Sequence, residues 1–192
     1  MKRIVFTVIG FFAVLSLSSC GYNSMVKLDE QVVSQWAQVE NVYQRRADLI
    51  PNLVASVKGA ADFEKETLTQ VIDARAKATS INVDPTKLTP ESIAQFQAAQ
   101  GQLSQSLGRL LATVEAYPQL KANQNFLELQ SQLEGTENRI SVERQKFNTV
   151  TQEYNSKIRT FPNNLTAGMF GFTQKGYFQA EAGTNKAPKV EF

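Results

Sequence analysis

The sequence predicts an all-α fold, an elongated antiparallel helical bundle ending in an irregular aromatic C-terminal tail. Three observations carry this. Apolar residues recur at helical intervals from Leu28 to Ala61, and only Pro51 and Gly59 interrupt the good helix formers between Leu28 and Ser80. Proline-bearing breaks then fall at two places, "INVDPTKLTPES" (81–92) and "YPQLKAN" (117–123). Finally, Phe126, Leu133, Ile140, Phe147 and Tyr154 stand at a strict seven-residue spacing, the repeat of helices packed with a left-handed twist.

The first residues read as a targeting segment. Lys2 and Arg3 form a positive head, Ile4 to Leu17 an apolar run, and Ser18 and Ser19 a small-residue stretch. That run falls short of the ~20 apolar residues that span a bilayer comfortably, and the layout is that of a secretory signal peptide. Leu17-Ser18-Ser19-Cys20 resembles the bacterial lipobox, in which lipid is attached to the cysteine sulfur and the chain is cut before it. This accounts for the lone cysteine, which has no internal disulfide partner. Each buried acyl methylene contributes roughly 0.8 kcal/mol, so three chains on Cys20 would hold essentially permanently. An uncleaved N-terminal anchor with an incidental cysteine is the alternative. Gly21 follows Cys20, with no aspartate there to suggest inner-membrane retention, so a host with two membranes would hold the chain on its outer membrane, facing the periplasm.

Loss of residues 1–19 removes Lys2 and Arg3 from the 20 basic residues, leaving as many as the 18 acidic ones. The slight basicity therefore belongs to targeting and gives no argument for nucleic acid.

The domain plan is a signal peptide at 1–19, a lipidated tether at 20–24, a bundle at 25–161 and a tail at 162–192. In the first helix Leu28, Val32, Trp36, Val39, Tyr43, Ile50, Val54, Val57 and Ala61 form the apolar stripe. Pro51 removes one backbone donor and clashes with the Ala47 carbonyl, so a kink is expected there, or a second helix starting at the proline. Thr89-Pro90 makes a helix start, threonine as cap and proline as first residue, for a helix running to about Tyr117. Phe96, Leu103 and Leu110 are its seam, widened by Leu107, Leu111 and Val114. Asn123 caps the last helix, 124–159, with Leu129 and Val150 on its second seam. The expected count is three to four helical segments, a long kinked one and two further long ones.

Chemistry is scarce. The absence of histidine excludes Cys–His and Ser–His nucleophile pairs and the Glu-x-x-His ligands of di-metal bundles. Glu134 with Glu137, or Glu64 with Glu66, could form a carboxylate-only cage, but solvated helix faces explain them better. "GMFGFTQKG" lacks the Gly-Lys-Ser/Thr ending of a phosphate loop. No catalytic residue, cofactor or metal is assigned.

Several stretches resemble the LemA family. "YNSMVKLDEQVVSQWAQVENVYQRRADLIPNLVASVKGAADFE" is similar to its opening signature. "VEAYPQLKANQNFLELQSQLEGTENRI" and "RQKFNTVTQEYNSKIRTFPNNL" resemble its middle and closing signatures, and "GFTQKGYFQAEAG" with "APKVEF" its tail. The resemblance spans about 22–192. It implies an antiparallel helical bundle with a long N-terminal helix near the membrane, and no established enzymatic activity, cofactor or ligand. Many members carry a transmembrane anchor where this chain has Cys20. By family association an envelope partner is expected, a TPM-domain protein or a membrane peptidase, with self-assembly as a further mode.

Two features sit less easily with pure scaffolding. Arg46 interrupts the apolar series, seven residues from Val39 and from Leu53. It either snorkels at the stripe edge or pairs with Glu137 or Glu143 on the last helix, fixing register. Phe161, Met169, Phe170, Phe172, Tyr177, Phe178 and Phe192 concentrate large side chains in the glycine-rich tail. Many of them are expected to cap one end of the bundle; the alternative is an interaction tail for a partner or for self-assembly. The reading is a lipid-anchored, non-catalytic binding or assembly scaffold of the bacterial envelope. A carboxylate-based metal-dependent protein or enzyme and a hydrophobic-ligand carrier are its rivals.

Overall fold

The computed structural model describes residues 2–59 and 64–180, with side chains from Gly21 onward. Ala61, Phe192 and the Cys20 side chain therefore lie outside what is described.

The periodic segments form helices: α1 (Lys2–Lys58), α2 (Lys65–Ser80), α3 (Pro90–Val114), the single turn α4 (Pro118–Lys121) and α5 (Gln124–Arg159). Thr89 Oγ1 accepts from the Ser92 amide, and Asn123 Oδ1 from the amides of Asn125 and Phe126, so both expected caps start their helices. α3 stops at Val114 rather than near Tyr117, and "YPQLKAN" contains the turn α4 where a plain break was expected. Two 3₁₀ turns, Asn163–Leu165 and Gly168–Phe170, follow α5.

Pro51 does not end α1, which continues to Lys58. α1 ends there, one residue before Gly59, and Lys65–Ser80 form α2 as a helix of its own. The reason lies in a carbonyl. Proline has no N–H to give the carbonyl four residues earlier, and Ala47 C=O accepts instead from Arg75 Nε of α2, at 2.7 Å. The defect that could have broken α1 becomes a tie between helices.

Pairings fix the directions. Gly21 packs against Asn163, Gln35 bonds to Glu143, and Arg46 to Glu137, so α1 and α5 run antiparallel. α2 descends beside α1, and α3 climbs again from Pro90. The seam residues Phe126, Leu133, Ile140, Phe147 and Tyr154 are all buried. They divide between two apolar clusters. The lower holds Met25, Val32, Trp36, Val39, Tyr43, Phe96, Phe147 and Tyr154; the upper holds Ile50, Leu53, Val57, Leu68, Leu103, Leu110, Phe126 and Leu133. The four long helices α1, α2, α3 and α5 enclose the upper cluster, with Leu120 of the turn α4 added at its top. Lower down, where α2 has ended, residues 172–180 lie between α3 and α5.

Arg75→Met should leave the Ala47 carbonyl without its donor and cost about 1–3 kcal/mol. Pro51→Ala supplies an amide to the same carbonyl, so in that background Arg75→Met should cost at least about 1 kcal/mol less. Urea melts of the four proteins check this, and equal costs in both backgrounds would refute the tie.

Candidate functional site

The site is the groove between α3 and α5 that holds the chain's own tail. Its floor is aromatic. Trp36 of α1 meets Phe96 of α3 at 5.2 Å and Phe147 of α5 at 5.5 Å between ring centroids, both edge to face. Phe178 of the tail enters this cage, stacked on Trp36 at 6.0 Å with 14° between the planes and edge-on to Phe147 at 5.5 Å. The Arg144 guanidinium covers its outer side, 5.0 Å from the ring centre. Such pairs add ~0.5–1.5 kcal/mol each beyond the area they bury.

The walls recognise main chain. Asn155 accepts from the Lys175 amide and donates to its carbonyl, both at 2.9 Å. Asn148 does the same for Phe178, again at 2.9 Å both ways. Gln97, from α3, accepts from the Gln179 amide at 3.0 Å and donates to its carbonyl at 2.8 Å. A carboxamide carries one acceptor and a donor pair side by side, the complement of one residue's N–H and C=O. The spacing shows the tail conformation. Asn148 and Asn155 are seven residues apart on a helix, about 10.5 Å, and the three tail residues from 175 to 178 cover about 10 Å only when nearly fully extended. Gly176 sits in between, its amide donating to Leu88 C=O at 2.8 Å. A methyl there would lie 2.7 Å from Pro90 Cα, so the close approach requires glycine.

The lower end is pinned by charge. Lys175 is buried, pairs with Asp29 of α1 at 2.8 Å and lies over the Tyr154 ring. Tyr154 donates its hydroxyl to Thr173 C=O at 3.0 Å, and burial, reinforced by the Asp29 charge, pushes its phenol far above the ordinary value. The phenol therefore stays a donor.

Beyond the upper end of the described tail lies a polar cavity of about 330 Å³ lined by Tyr43, Arg46, Gln97, Ser104, Arg144 and Gln179, among others. Arg46, 1% exposed, is the centre of its wall. One terminal nitrogen donates to Ser104 Oγ at 2.7 Å and to Glu137 Oε2 at 2.8 Å; the other donates to Gln100 Oε1 at 2.6 Å. Gln100 in turn donates to Ala78 C=O at the end of α2. The network thus joins α1, α2, α3 and α5, and it lies between the two apolar clusters.

Of the two glutamates named from sequence, Glu137 meets Arg46 and Glu143 does not. Glu143 accepts from Gln35 at 2.7 Å and from Lys146 at 2.8 Å, and the Lys146 contact leads in holding its carboxyl below the usual range. Glu66 and Glu134 accept from neighbours on their own helices, Gln70 and Gln130, and Glu64, just before α2, accepts from Thr67 in its first turn. Among the described residues no three His, Cys, Asp or Glu side chains are grouped to hold a metal.

The aromatic tail divides in a way the sequence reading did not foresee. Phe178 is buried midway along the bundle rather than at its end, and Phe172 is partly buried. Phe170 and Tyr177 stay largely exposed, as do Phe161 and Met169. Seven residues of α5 are matched by three of an extended chain, so a short tail climbs far up the groove. The clamps Gln97, Asn148 and Asn155 were missed, although a signal existed. Each directly follows a core aromatic, Phe96, Phe147 or Tyr154, and so forms a polar row one step round from the seam.

The LemA family model matches residues 35–192. Magnetosome protein MamQ 2 of Paramagnetospirillum magneticum is 28% identical over 91% of this chain and 70% of its own length. Protein LemA of Metamycoplasma hominis is 26% identical over 82% of the chain and 68% of its own. Magnetosome protein MamQ of Magnetospirillum gryphiswaldense is 25% identical over 90% and 70%.

Glu137→Ala leaves a buried guanidinium short of its charge partner and should cost about 2–4 kcal/mol, below the range for a fully buried pair because water reaches Glu137. Combined with Arg46→Met, the coupling should exceed about 1 kcal/mol, whereas an Arg46–Glu143 cycle should show less than about 0.5 kcal/mol. Separately, Asn148→Leu removes both bonds to residue 178, so hydrogen exchange at the Phe178 amide should accelerate at least about tenfold, with the α5 amides near Ile140 little changed.

Proposed function

Because this chain belongs to the LemA family, we propose that it is a lipid-anchored, non-catalytic binding or assembly scaffold of a bacterial cell envelope. The observation that carries this reading is the groove. Three carboxamides each address the N–H and C=O of one residue of an extended chain, and the cage admits one aromatic side chain. Main-chain recognition with one side-chain pocket is the chemistry of holding a peptide segment. The tail fills the groove in cis, which gives the scaffold a fixed shape and leaves α1 and the outer face of α5 for partners.

Anchoring is read from Cys20 and the apolar run before it, with a host of two membranes holding the bundle on the periplasmic side of the outer one. Among residues whose side chains are described, no helix is long and apolar enough to cross a membrane. The relatives named as magnetosome proteins fit a role at a membrane-bounded structure. An envelope protein, such as a TPM-domain protein or a membrane peptidase, is the partner class this reading implies.

Cells fed a labelled fatty acid should label the wild-type chain and not Cys20→Ser, whose precursor should also keep its signal segment. Normal labelling of the variant would refute the anchor. For the scaffold role, a photoreactive residue at Gln145, exposed on α5, should crosslink to one discrete envelope protein in intact cells. A crosslink pattern indistinguishable from that of a randomly placed surface probe would count against a scaffold.

A further inference from the structure

Large exposed apolar side chains are not spread evenly over the described surface. Met169 is 82% exposed, Phe161 75%, Leu165 64%, Phe170 54% and Tyr22 41%. Four of these belong to the turns after α5, and Tyr22 joins them through its ring, 5.0 Å from that of Phe170. Gly21 sits so close to Asn163 in the same turns that a side chain there would collide with its amide oxygen. All five therefore lie where the apolar run Ile4–Leu17 of α1 gives way to the part of that helix packed in the bundle.

The charge nearest the patch is positive, the first carboxylates, Asp29 and Glu30 on α1 and Glu153 on α5, lying about two turns further up their helices. From Tyr154 to Ala180 the sequence holds Lys157, Arg159 and Lys175 and no acidic residue, and Lys175 is consumed by Asp29. Arg159 is exposed and Lys157 half-exposed, in the last turn of α5. Aromatic and long aliphatic side chains beside cations match a bilayer surface, where rings sit at headgroup level and cations meet anionic lipid. The turn segment is also short and held at both ends, by α5 and by the clamped tail, so it presents a fixed apolar face.

We propose that this end of the bundle is a membrane seat: the 161–170 turns and Tyr22 rest in the headgroup region of an anionic bilayer, standing the bundle upright. The proposal rests on the reading that the N-terminal side of α1 leads to a membrane, whether through lipid on Cys20 or through the apolar run itself. A seat does what a flexible tether alone does not, because it fixes which faces of the bundle point along the membrane and which point away.

The test uses the full chain reconstituted in phosphatidylcholine–phosphatidylglycerol vesicles, with and without bromine on the acyl chains near the headgroup. Met169→Trp places a reporter on the seat, and Leu127→Trp places one at the far end, about 48 Å from Arg159 by the helical rise. Native Trp36, buried in the core, contributes a constant background. Brominated lipid should quench the Met169→Trp reporter by roughly half or more and leave Leu127→Trp unchanged, as expected for a residue at interfacial depth. Equal quenching at both positions, or none at either, overturns the seat. A lipid-free dimer that Met169→Glu converts to monomer, without bromine quenching, would assign the patch to a second copy and also overturns it. Failure of the anchor reads differently: persistent lipid labelling of Cys20→Ser removes the anchor assignment while leaving the quenching contrast in force.

Discussion

A buried guanidinium holds the bundle in register. Arg46 stands between two apolar layers, where a charge without partners would be expensive, and its partners come from two other helices, Gln100 and Ser104 from α3 and Glu137 from α5. Sliding any helix by one turn would remove a bond and leave a buried polar group unsatisfied, a penalty that apolar packing alone does not impose. Leucine and phenylalanine seams tolerate neighbouring registers; a layer containing Arg46, Gln100, Ser104 and Glu137 does not. Glu137 reaches solvent, so the charge pair is half-screened and the specificity rests as much on the neutral donors and acceptors as on attraction between charges.

The same economy governs the backbone. Pro51 and the extended tail each create main-chain groups without regular partners, and side chains supply them: Arg75 for Ala47, and Asn155, Asn148 and Gln97 for residues 175, 178 and 179. In the tail this replaces the ladder a neighbouring strand would provide, since no strand occurs among the described residues. Phe178 then closes the lower core, so the chain's last described segment stabilises contacts made by its first helix. Binding a segment and completing the fold are here one physical act.

Much of this was legible in the sequence, for a simple reason. Helix positions depend on local spacing, so the seam from Phe126 to Tyr154, the Thr89 and Asn123 caps and the singular character of Arg46 could be read from a few adjacent residues. The family signatures, being local patterns too, were legible in the same way. Where two local readings competed, as at Pro51, sequence alone left kink and break open, because the deciding group, Arg75, lies 24 positions further on.

The sequence by itself therefore determined an all-α bundle, its capped helices, the apolar stripes and the interruption of one stripe by Arg46, leaving a snorkelling and a paired guanidinium both open. Only the tertiary structure decided that the partner is Glu137 and not Glu143, since both lie on α5 within reach of a register choice that long-range packing makes. It alone decided that α1 passes through Pro51, that Phe178 enters the core while Phe170 and Tyr177 stay out, and that three carboxamides clamp an extended tail. Those outcomes depend on which surfaces meet after the chain has folded back on itself, and no window of neighbouring residues contains that information.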